Sequence, residues 1–307
     1  MGIESELLVS IFSRSLVAGT PLLLGTLGEI LAERSGVMNI GVEGMMSVGA
    51  VCGFGVAFTT GNPWLGLLAS IVAGMLLSML HAFVTISLRA NQIVSGLALT
   101  TLGIGISGLI GKSFIGLPLK EKFVSVAIPV FSDIPLIGEI FFHRDAVFYL
   151  SISIGILLWI MLYKTRWGLV IRSVGENPKA SETMGINVAA VRYLCVLGGG
   201  GLAGMAGAYL SLAYIPSWIE GMTSGRGWIV IALTIFSLWN PSRAFFGAYL
   251  FGGIEVLQFF VQARGIPPQF LKMLPYASTL VALLLVTTNT GFRKVSPPEY
   301  LGKPYED

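Results

Sequence analysis

Residues 165–192 read TRWGLVIRSVGENPKASETMGINVAAVR, a polar stretch between two long apolar segments. Its middle carries the signals of a short helix at both ends. Asn177 is a favourable N-cap, Pro178 suits the first helical position, and Gly185 suits the left-handed residue that follows a helix. The stretch therefore predicts about two turns of helix, and Asn187 would cap the next helix.

This predicted helix needs a surface to pack against, because a helix so short is not stable alone in water. Ala180 and Met184 are spaced i and i+4 and would share one face, and Ile186 would fold back toward Ala180 after the glycine. Glu176 lies directly before the N-cap. The packing surface is either the membrane domain of the same chain or a separate protein, and the separate protein is the functional hypothesis.

The composition of the whole chain is that of a membrane protein. Of its 307 residues, 54% are hydrophobic and 11% are charged, and the mean hydropathy is +0.80; soluble domains are about 45–50% apolar and about 25% charged. The net charge is only +3 and the basic residues lie in short loops, so no nucleic-acid partner is expected. Cys52 and Cys195 are far apart within apolar segments, which predicts packing residues rather than a disulfide or a metal site.

Eight apolar segments are long enough to span a bilayer, at about 20 residues each. They cover residues 8–28, 38–59, 64–87, 92–111, 147–163, 192–214, 243–262 and 271–288. The run at 227–239 is too short at about 1.5 Å per residue, so it is either a half-helix or a span extended by its flanks. The sequence thus predicts an all-α transmembrane bundle, one domain over residues 1–307, with about eight to ten passages.

The distribution of basic residues predicts the orientation of this bundle. The positive-inside rule places the 165–192 loop in the cytoplasm. The same side then receives, provided that 227–239 crosses, Arg34, Arg89, Arg243, Arg293, Lys294 and Lys303. The 111–145 segment is external on this interpretation, and its prolines and the alternating residues 123–128 predict an ordered lid of extended pieces.

Polar residues inside apolar segments are the candidates for a substrate path, because they are costly at membrane depth. Glu43 lies in GVMNIGVEGMMS, residues 36–47, where three glycines favour a break in the helix, and Asn39 precedes it by one turn. A second break is predicted at 224–241, and broken helices at comparable positions of two halves mark transporter sites. The alternative for Glu43 is an acid at the cytoplasmic end of a helix.

Four further residues are assigned to the same path. Gln92 and Ser95 begin the fourth apolar segment, and Glu255 lies deep in a later one, where it would line a cavity or pair with a polar group of a neighbouring helix. Trp228, like Trp218, would stack on a flat or sugar-like ligand or belong to an interfacial aromatic belt. No catalytic set for hydrolysis and no metal-ligand pattern is found, so an enzyme is not expected.

Four stretches together resemble the permease subunits of bacterial ATP-binding-cassette importers, in the branch for branched-chain amino acids, ribose and nucleosides. The resemblance covers nearly the whole chain. The stretches are GVMNIGVEGMMSVGA (36–50), ANQIVSGLAL (90–99), RSVGENPKASETMGIN (172–187) and SLWNPSRAFFGAYLFGGIE (237–255).

This resemblance implies that residues 176–186 form a coupling helix that docks on an ATPase subunit. It also implies a second permease subunit that completes the pore, an external substrate-binding protein near 111–145, and a location in the bacterial cytoplasmic (inner) membrane. ATP and Mg would bind to the ATPase subunits and no cofactor to this chain. The expected substrate is a nucleoside, then a ribose-like sugar; branched-chain amino acids are disfavoured because no cation–anion pair is evident. An ion-coupled carrier that uses Glu43 or Glu255, and a channel or scaffold, remain as alternatives.

Overall fold

The computed structural model describes residues 3–129, 131–132, 134–262, 270, 273–288 and 297–304, and Arg293 and Lys294 lie outside them. The described helices are α1 (Ile3–Arg34), α2 (Val42–Thr60), α3 (Pro63–Ala82), α4 (Gln92–Gly111), α5 (Ile137–Phe141), α6 (Ala146–Lys164), α7 (Arg166–Glu176), α8 (Pro178–Thr183), α9 (Val188–Tyr209), α10 (Arg226–Phe236), α11 (Pro241–Gln262) and α12 (Leu274–Thr288). Within the described residues, six helical segments are long and apolar enough to cross a membrane. The predicted polytopic helical bundle is therefore confirmed.

Glycine contacts hold the centre of the bundle together. Gly204 of α9 lies against the backbone of Ser70 in α3, and Gly49 of α2 lies against Gly204, so a Cβ at either glycine would clash with the neighbouring main chain. The contact between Gly200 and Gly74 is of the same kind. Small residues that allow helix backbones to approach closely are typical of membrane interiors, and these glycines have that role here.

The bundle has two ends that are easily told apart. The loop end carries residues 165–187, and there the Nε2 of Gln92 donates to the carbonyl of Lys303, and Ser87 and Tyr193 share a hydrogen bond of 2.6 Å. The lid end carries residues 111–145. The loop predicted to be cytoplasmic and the segment predicted to be external therefore lie at different ends of the described molecule.

The described residues of the 111–145 segment form short regular elements rather than a structureless linker. The segment contains β1 (Val126–Ala127), α5 and β2 (His143–Arg144), and the two strands pair antiparallel. The buried Arg144 guanidinium ties α5 down, since it donates to the carbonyls of Ile140 at 2.8 Å and Glu139 at 2.6 Å.

The doubtful 227–239 run completes a crossing with the help of its flank. A π-helical turn at Leu210–Tyr214 ends α9 at the lid end, where residues 217 and 218 bridge to Pro118 and Ile115. Residues 215–225 then run from the lid end toward the loop end without helix. Helix α10 continues in the same direction to Trp239, which contacts Arg34 at the loop end. Irregular backbone at such depth is tolerated where protein surrounds it. The run is a half-helix within a passage from the lid end to the loop end, which is the condition that the predicted orientation required.

The first two predicted spans have different limits in the structure. Helix α1 continues to Arg34, beyond the predicted end at residue 28, and α2 begins at Val42 rather than at residue 38. Residues 35–41 form a non-helical turn with Gly36 at φ +90°. The glycines thus end one helix and delay the next rather than break a continuous one.

Candidate functional site

Helix α8 has the two ends that the sequence predicts. The side chain of Asn177 accepts a hydrogen bond from the Ala180 N–H at 3.0 Å. At the other end, Gly185 has φ +81°, and its N–H donates to the Glu182 carbonyl at 2.8 Å. The N–H of Ile186 donates to the Ser181 carbonyl at 3.1 Å. These two bonds form a Schellman motif, which satisfies the last carbonyls of the helix.

One side of α8 is attached to the protein and the other faces outward. Pro178 and Ser181 are buried, and the Ser181 hydroxyl shares a 2.7 Å hydrogen bond with that of Ser173 in α7. Ala180 is exposed, and Met184 is 81% exposed. Ile186 packs against the hydrophobic core of the bundle. The helix therefore presents a small apolar surface on a rigidly capped support.

Helix α7, which leads into α8, is not anticipated by the sequence analysis. It is amphipathic, and it buries Ile171 and Val174. The guanidinium of Arg172 lies 5.2 Å from the ring centre of Tyr163, in the last turn of α6. A cation over an aromatic ring is attractive, so α7 and α8 are joined to the end of a membrane helix.

Glu43 lies where two helices begin. Its carboxylate is 4% exposed, one residue into α2, and it accepts hydrogen bonds from the N–H groups of Gly225 at 2.9 Å and Gly227 at 2.5 Å at the start of α10. The Thr223 hydroxyl donates a third at 2.6 Å. The positive end of a helix dipole stabilises an anion, and here two such ends converge. The acid predicted in the first half therefore binds the half-helix predicted in the second.

A cavity of about 440 Å³ opens beside this contact, between α2, α4 and α10. Its wall mixes apolar and polar groups and includes two indole rings. The lining residues are Glu43, Ser47, Ile104, Ser107, Trp218, Glu220, Gly221, Met222, Thr223, Ser224, Gly225 and Trp228. Two of the six residues assigned to the substrate path, Glu43 and Trp228, lie in this wall.

Three other assigned residues support the 35–41 turn instead of lining this cavity. The buried Asn39 accepts from the Gly41 N–H at 3.2 Å, and the buried Gln92 accepts from the Met38 N–H at 2.7 Å. Ser95 shares a 3.0 Å hydrogen bond with His81, whose other ring nitrogen lies 3.0 Å from the Met38 carbonyl of this turn. A contribution of these three residues to substrate passage stays a prediction.

Glu255, the sixth assigned residue, forms an ion pair with Arg226. Arg226 also donates to the carbonyl of Met222 at 3.0 Å and lies 5.3 Å from the ring centre of Tyr214. The pairing alternative for Glu255 therefore holds in the structure. The sequence did not reveal this pair, because a single arginine before a short apolar run gave no sign of its distant partner.

Two buried acids were not identified from the sequence. Glu29 and Glu33 are 1% and 3% exposed on α1, and the Glu33 carboxylate accepts a hydrogen bond from the Trp239 indole. The predicted span ended at residue 28, which placed both acids in a loop. Their i and i+4 spacing was the available signal that they share a helical face.

The comparisons with known proteins agree with this architecture. A family model described as "Branched-chain amino acid transport system / permease component" matches residues 11–287. The chain belongs to this permease family. The permease is 41% identical to a putative glucose ABC transporter permease protein, TsgC13, of Haloferax volcanii, and the match covers 94% of each chain.

Two bacterial relatives are similar over almost their whole length. The guanosine ABC transporter permease NupQ of Bacillus subtilis is 37% identical, over 98% of the permease and 97% of NupQ. The nucleoside ABC transporter permease NupC of Lactococcus lactis is 37% identical, over 90% and 91%. The same two bacteria have a second, more distant match each, NupP at 25% and NupB at 24% identity. The permease is thus a multi-pass component of a transport system, as the sequence resemblance implied.

Proposed function

We propose that this permease and a second, related permease subunit form the path by which an ATP-binding-cassette importer carries a nucleoside across the bacterial cytoplasmic membrane. The observation that carries the proposal is the 37% identity to the guanosine permease NupQ and the nucleoside permease NupC over nearly the whole chain. The distant matches NupP and NupB support a second permease subunit, because each of the two bacteria has both a relative at 37% identity and a more distant one.

The cavity beside Glu43 is the proposed substrate path. Its volume of about 440 Å³ falls within the range of about 300–1,000 Å³ that is usual for small-molecule sites. Trp228 is 42% exposed and offers an aromatic face for a flat base, while the exposed Ser224 offers a hydroxyl group for a ribose. A ligand with one flat apolar part and one polar part fits such a wall.

Helix α8 is the proposed docking element for an ATPase subunit that binds ATP and Mg. Its exposed Ala180 and Met184 are suited to a shallow groove, and its Schellman cap and its attachment to α7 suit a lever that moves as one body. The loop end is then cytoplasmic. The ordered lid of residues 111–145 at the opposite end is the proposed docking surface for an external substrate-binding protein.

A sugar is the second candidate substrate. The 41% identity to the putative glucose permease TsgC13 favours it, and aromatic rings also stack on sugar faces. An ion-coupled carrier is less favoured. Three donors satisfy the Glu43 carboxylate and Arg226 pairs with Glu255, so neither acid offers a free carboxylate to a proton or cation in this conformation.

Competition for uptake tests the substrate. We would reconstitute the complete transporter in proteoliposomes and measure ATP-dependent uptake of labelled guanosine against an excess of other nucleosides, ribose, glucose and leucine. We expect nucleosides to compete most strongly and Trp228→Ala to weaken uptake. Trp64→Ala is the matched control, because Trp64 is 49% exposed at the start of α3 and is not part of the cavity wall. Competition by glucose alone or leucine alone would contradict a nucleoside.

A further inference from the structure

The turn that follows α10 is held in an unusual backbone conformation. Leu238 and Trp239 both have φ +53°, in the left-handed region that favours glycine. The Leu238 N–H donates to Ile235 at 2.9 Å and the Trp239 N–H to Thr234 at 3.2 Å, so α10 ends in a Schellman pattern with leucine at the usual glycine position. Two successive residues of this kind cost free energy and persist only where their surroundings fix them.

Two adjacent residues at the end of α1 fix this turn. The Arg34 guanidinium donates from Nε to the Trp239 carbonyl at 3.0 Å and from Nη2 to the Leu238 carbonyl at 3.3 Å. Glu33 accepts a hydrogen bond from the Trp239 indole. We call this arrangement of Glu33 and Arg34 on the 238–239 turn the clasp. It grips the backbone and the side chain of the same turn.

The clasp also contacts the support of the α8 helix. The same Nη2 of Arg34 donates to the Tyr163 hydroxyl at 3.2 Å, and that ring lies under Arg172 of α7. Arg34 therefore bridges the end of α6, where the 165–187 loop begins, and the end of α10. A shift of α7 would change the position of the group that holds the turn.

The other end of α10 reaches the cavity. The helix has 11 residues, a length of about 16 Å at 1.5 Å per residue. Its first turn contains Trp228 and the Gly227 N–H that binds Glu43. A short helix moves as a rigid body, so a displacement of the 238–239 turn would move Trp228 and the cavity wall.

We infer that the clasp is the joint through which movement of the α7–α8 loop reaches the substrate cavity. Glu33 and Arg34 act as positioning residues that hold the 238–239 turn in its strained state, and loss of their contacts lets the turn relax and α10 move. The turn is the two-state element that such coupling requires. The role of this joint in transport rests on the proposed function, whereas the hold on the turn does not.

Four variants of the complete transporter separate this joint from an ordinary helix end. Arg34→Lys keeps the charge but loses the planar fork that reaches two carbonyls and a hydroxyl. Leu238→Gly removes the penalty of the left-handed conformation without removing a contact of the clasp. Leu238→Ala is its matched control, because it loses the same buried side chain and keeps the penalty. Arg243→Lys is the control, an exposed arginine at the same end on α11. The readouts are nucleoside uptake and ATP hydrolysed per nucleoside transported.

We expect Arg34→Lys to lower uptake about tenfold while ATP hydrolysis continues, because the loop then moves without α10. Leu238→Gly favours the held state and should slow uptake by about fivefold to tenfold relative to Leu238→Ala, which lacks the same buried side chain. Arg243→Lys should match the wild type. An ordinary helix end predicts equal uptake in Leu238→Gly and Leu238→Ala, and that result, or a normal transport-to-hydrolysis ratio in Arg34→Lys, would overturn the inference.

Hydrogen exchange of the purified subunit tests the hold on the turn without any substrate. We expect amides of residues 234–240 to exchange faster in Arg34→Lys than in the wild type, and more slowly in Leu238→Gly than in Leu238→Ala. If the wild-type complex shows no substrate-stimulated hydrolysis but exchange changes in this way, the proposed function fails and the clasp stands. Unchanged exchange in both variants would overturn the clasp whatever the substrate is.

Discussion

Glu43 is held by donors that a carboxylate satisfies and its amide does not. Oε1 accepts from Thr223 and Gly225, and Oε2 accepts from Gly227 at 2.5 Å. In Glu43→Gln one of these oxygens becomes an NH₂ group that faces an N–H. A buried donor without a partner costs about 1–3 kcal/mol, so this single atom exchange should disturb the junction between α2 and α10.

We therefore predict that Glu43→Gln lowers nucleoside uptake by about tenfold, which is the effect of about 1.4 kcal/mol. The dependence of the remaining uptake on pH should be that of the wild type, because the acid positions a helix and carries no proton. Glu6→Gln is the control, an exposed carboxylate on α1 that is not part of the cavity wall. Uptake whose proton dependence disappears in Glu43→Gln would favour the ion-coupled alternative.

Glycine is required at position 185 because of its backbone conformation, and not because a side chain would clash with neighbouring atoms. Gly185 has φ +81° and no atom lies within 4 Å of a Cβ built on it. A β-branched residue in this region is strained by about 1–3 kcal/mol, whereas asparagine tolerates it. We predict that Gly185→Val reduces transport per ATP hydrolysed severalfold and that Gly185→Asn retains it.

The control for Gly185→Val is Gly61→Val. Gly61 follows α2 at the lid end of the bundle, with φ +69° and equally open surroundings. A valine there is strained to a similar degree, but far from α8. Both variants should be present in the membrane at normal levels. If Gly61→Val reduces the ratio of transport to hydrolysis as much as Gly185→Val does, the special role of α8 is refuted.

At the scale of elements, the sequence predicts what local chemistry determines. The ends of α8 are correct because Asn177, Pro178 and Gly185 act on their own neighbours. The start of α9 is correct for the same reason, since Asn187 accepts from the Ala190 N–H at 2.9 Å. Helix α7 was missed because its apolar face is short and lies within a stretch that is polar on average.

Contacts between distant parts of the chain could not be predicted in this way. Glu43 meets Gly227, Arg226 meets Glu255, and Gln92 meets the chain near its end, and each contact depends on how helices are packed rather than on spacing. The break at 224–241 was predicted from glycine and length, but the cavity beside it exists only because α4 and the 215–225 segment close around it.

The segment 297–304 is a further element that no local pattern indicates. It lies on the loop end, where the Tyr300 N–H donates to the Gly175 carbonyl at 3.0 Å and Gln92 donates to the Lys303 carbonyl at 3.4 Å. Pro298 is buried there. The segment thereby connects the end of α7 with the start of α4.

We predict that Gln92→Glu loosens this connection. The carboxylate can still accept from the Met38 N–H but cannot donate to the Lys303 carbonyl, so amides of residues 166–192 should exchange with solvent severalfold faster. Lys303→Ala is the control, because it removes the exposed ion pair with Glu299 and keeps the carbonyl. Equal exchange rates in Gln92→Glu and Lys303→Ala would show that the contact does not stabilise the loop.

At the scale of the whole molecule, three features lie in line between its two ends. The capped α8 is at the loop end, the clasp and α10 follow, and the cavity with Glu43 comes next, below the ordered lid. A channel or scaffold gives no reason for an exposed helix with a fixed apolar face. An importer driven by ATP hydrolysis on a separate subunit does, since force must enter at one end and act on the solute in between.

The most direct test is ATP hydrolysis by the complete transporter in lipid, with the binding protein and a panel of nucleosides, sugars and amino acids. Our account predicts that nucleosides stimulate hydrolysis, that the other classes do so weakly, and that Gly185→Val abolishes the stimulation while the subunits still purify together. A permease that purifies without an ATPase subunit and moves solute down an ion gradient would contradict it.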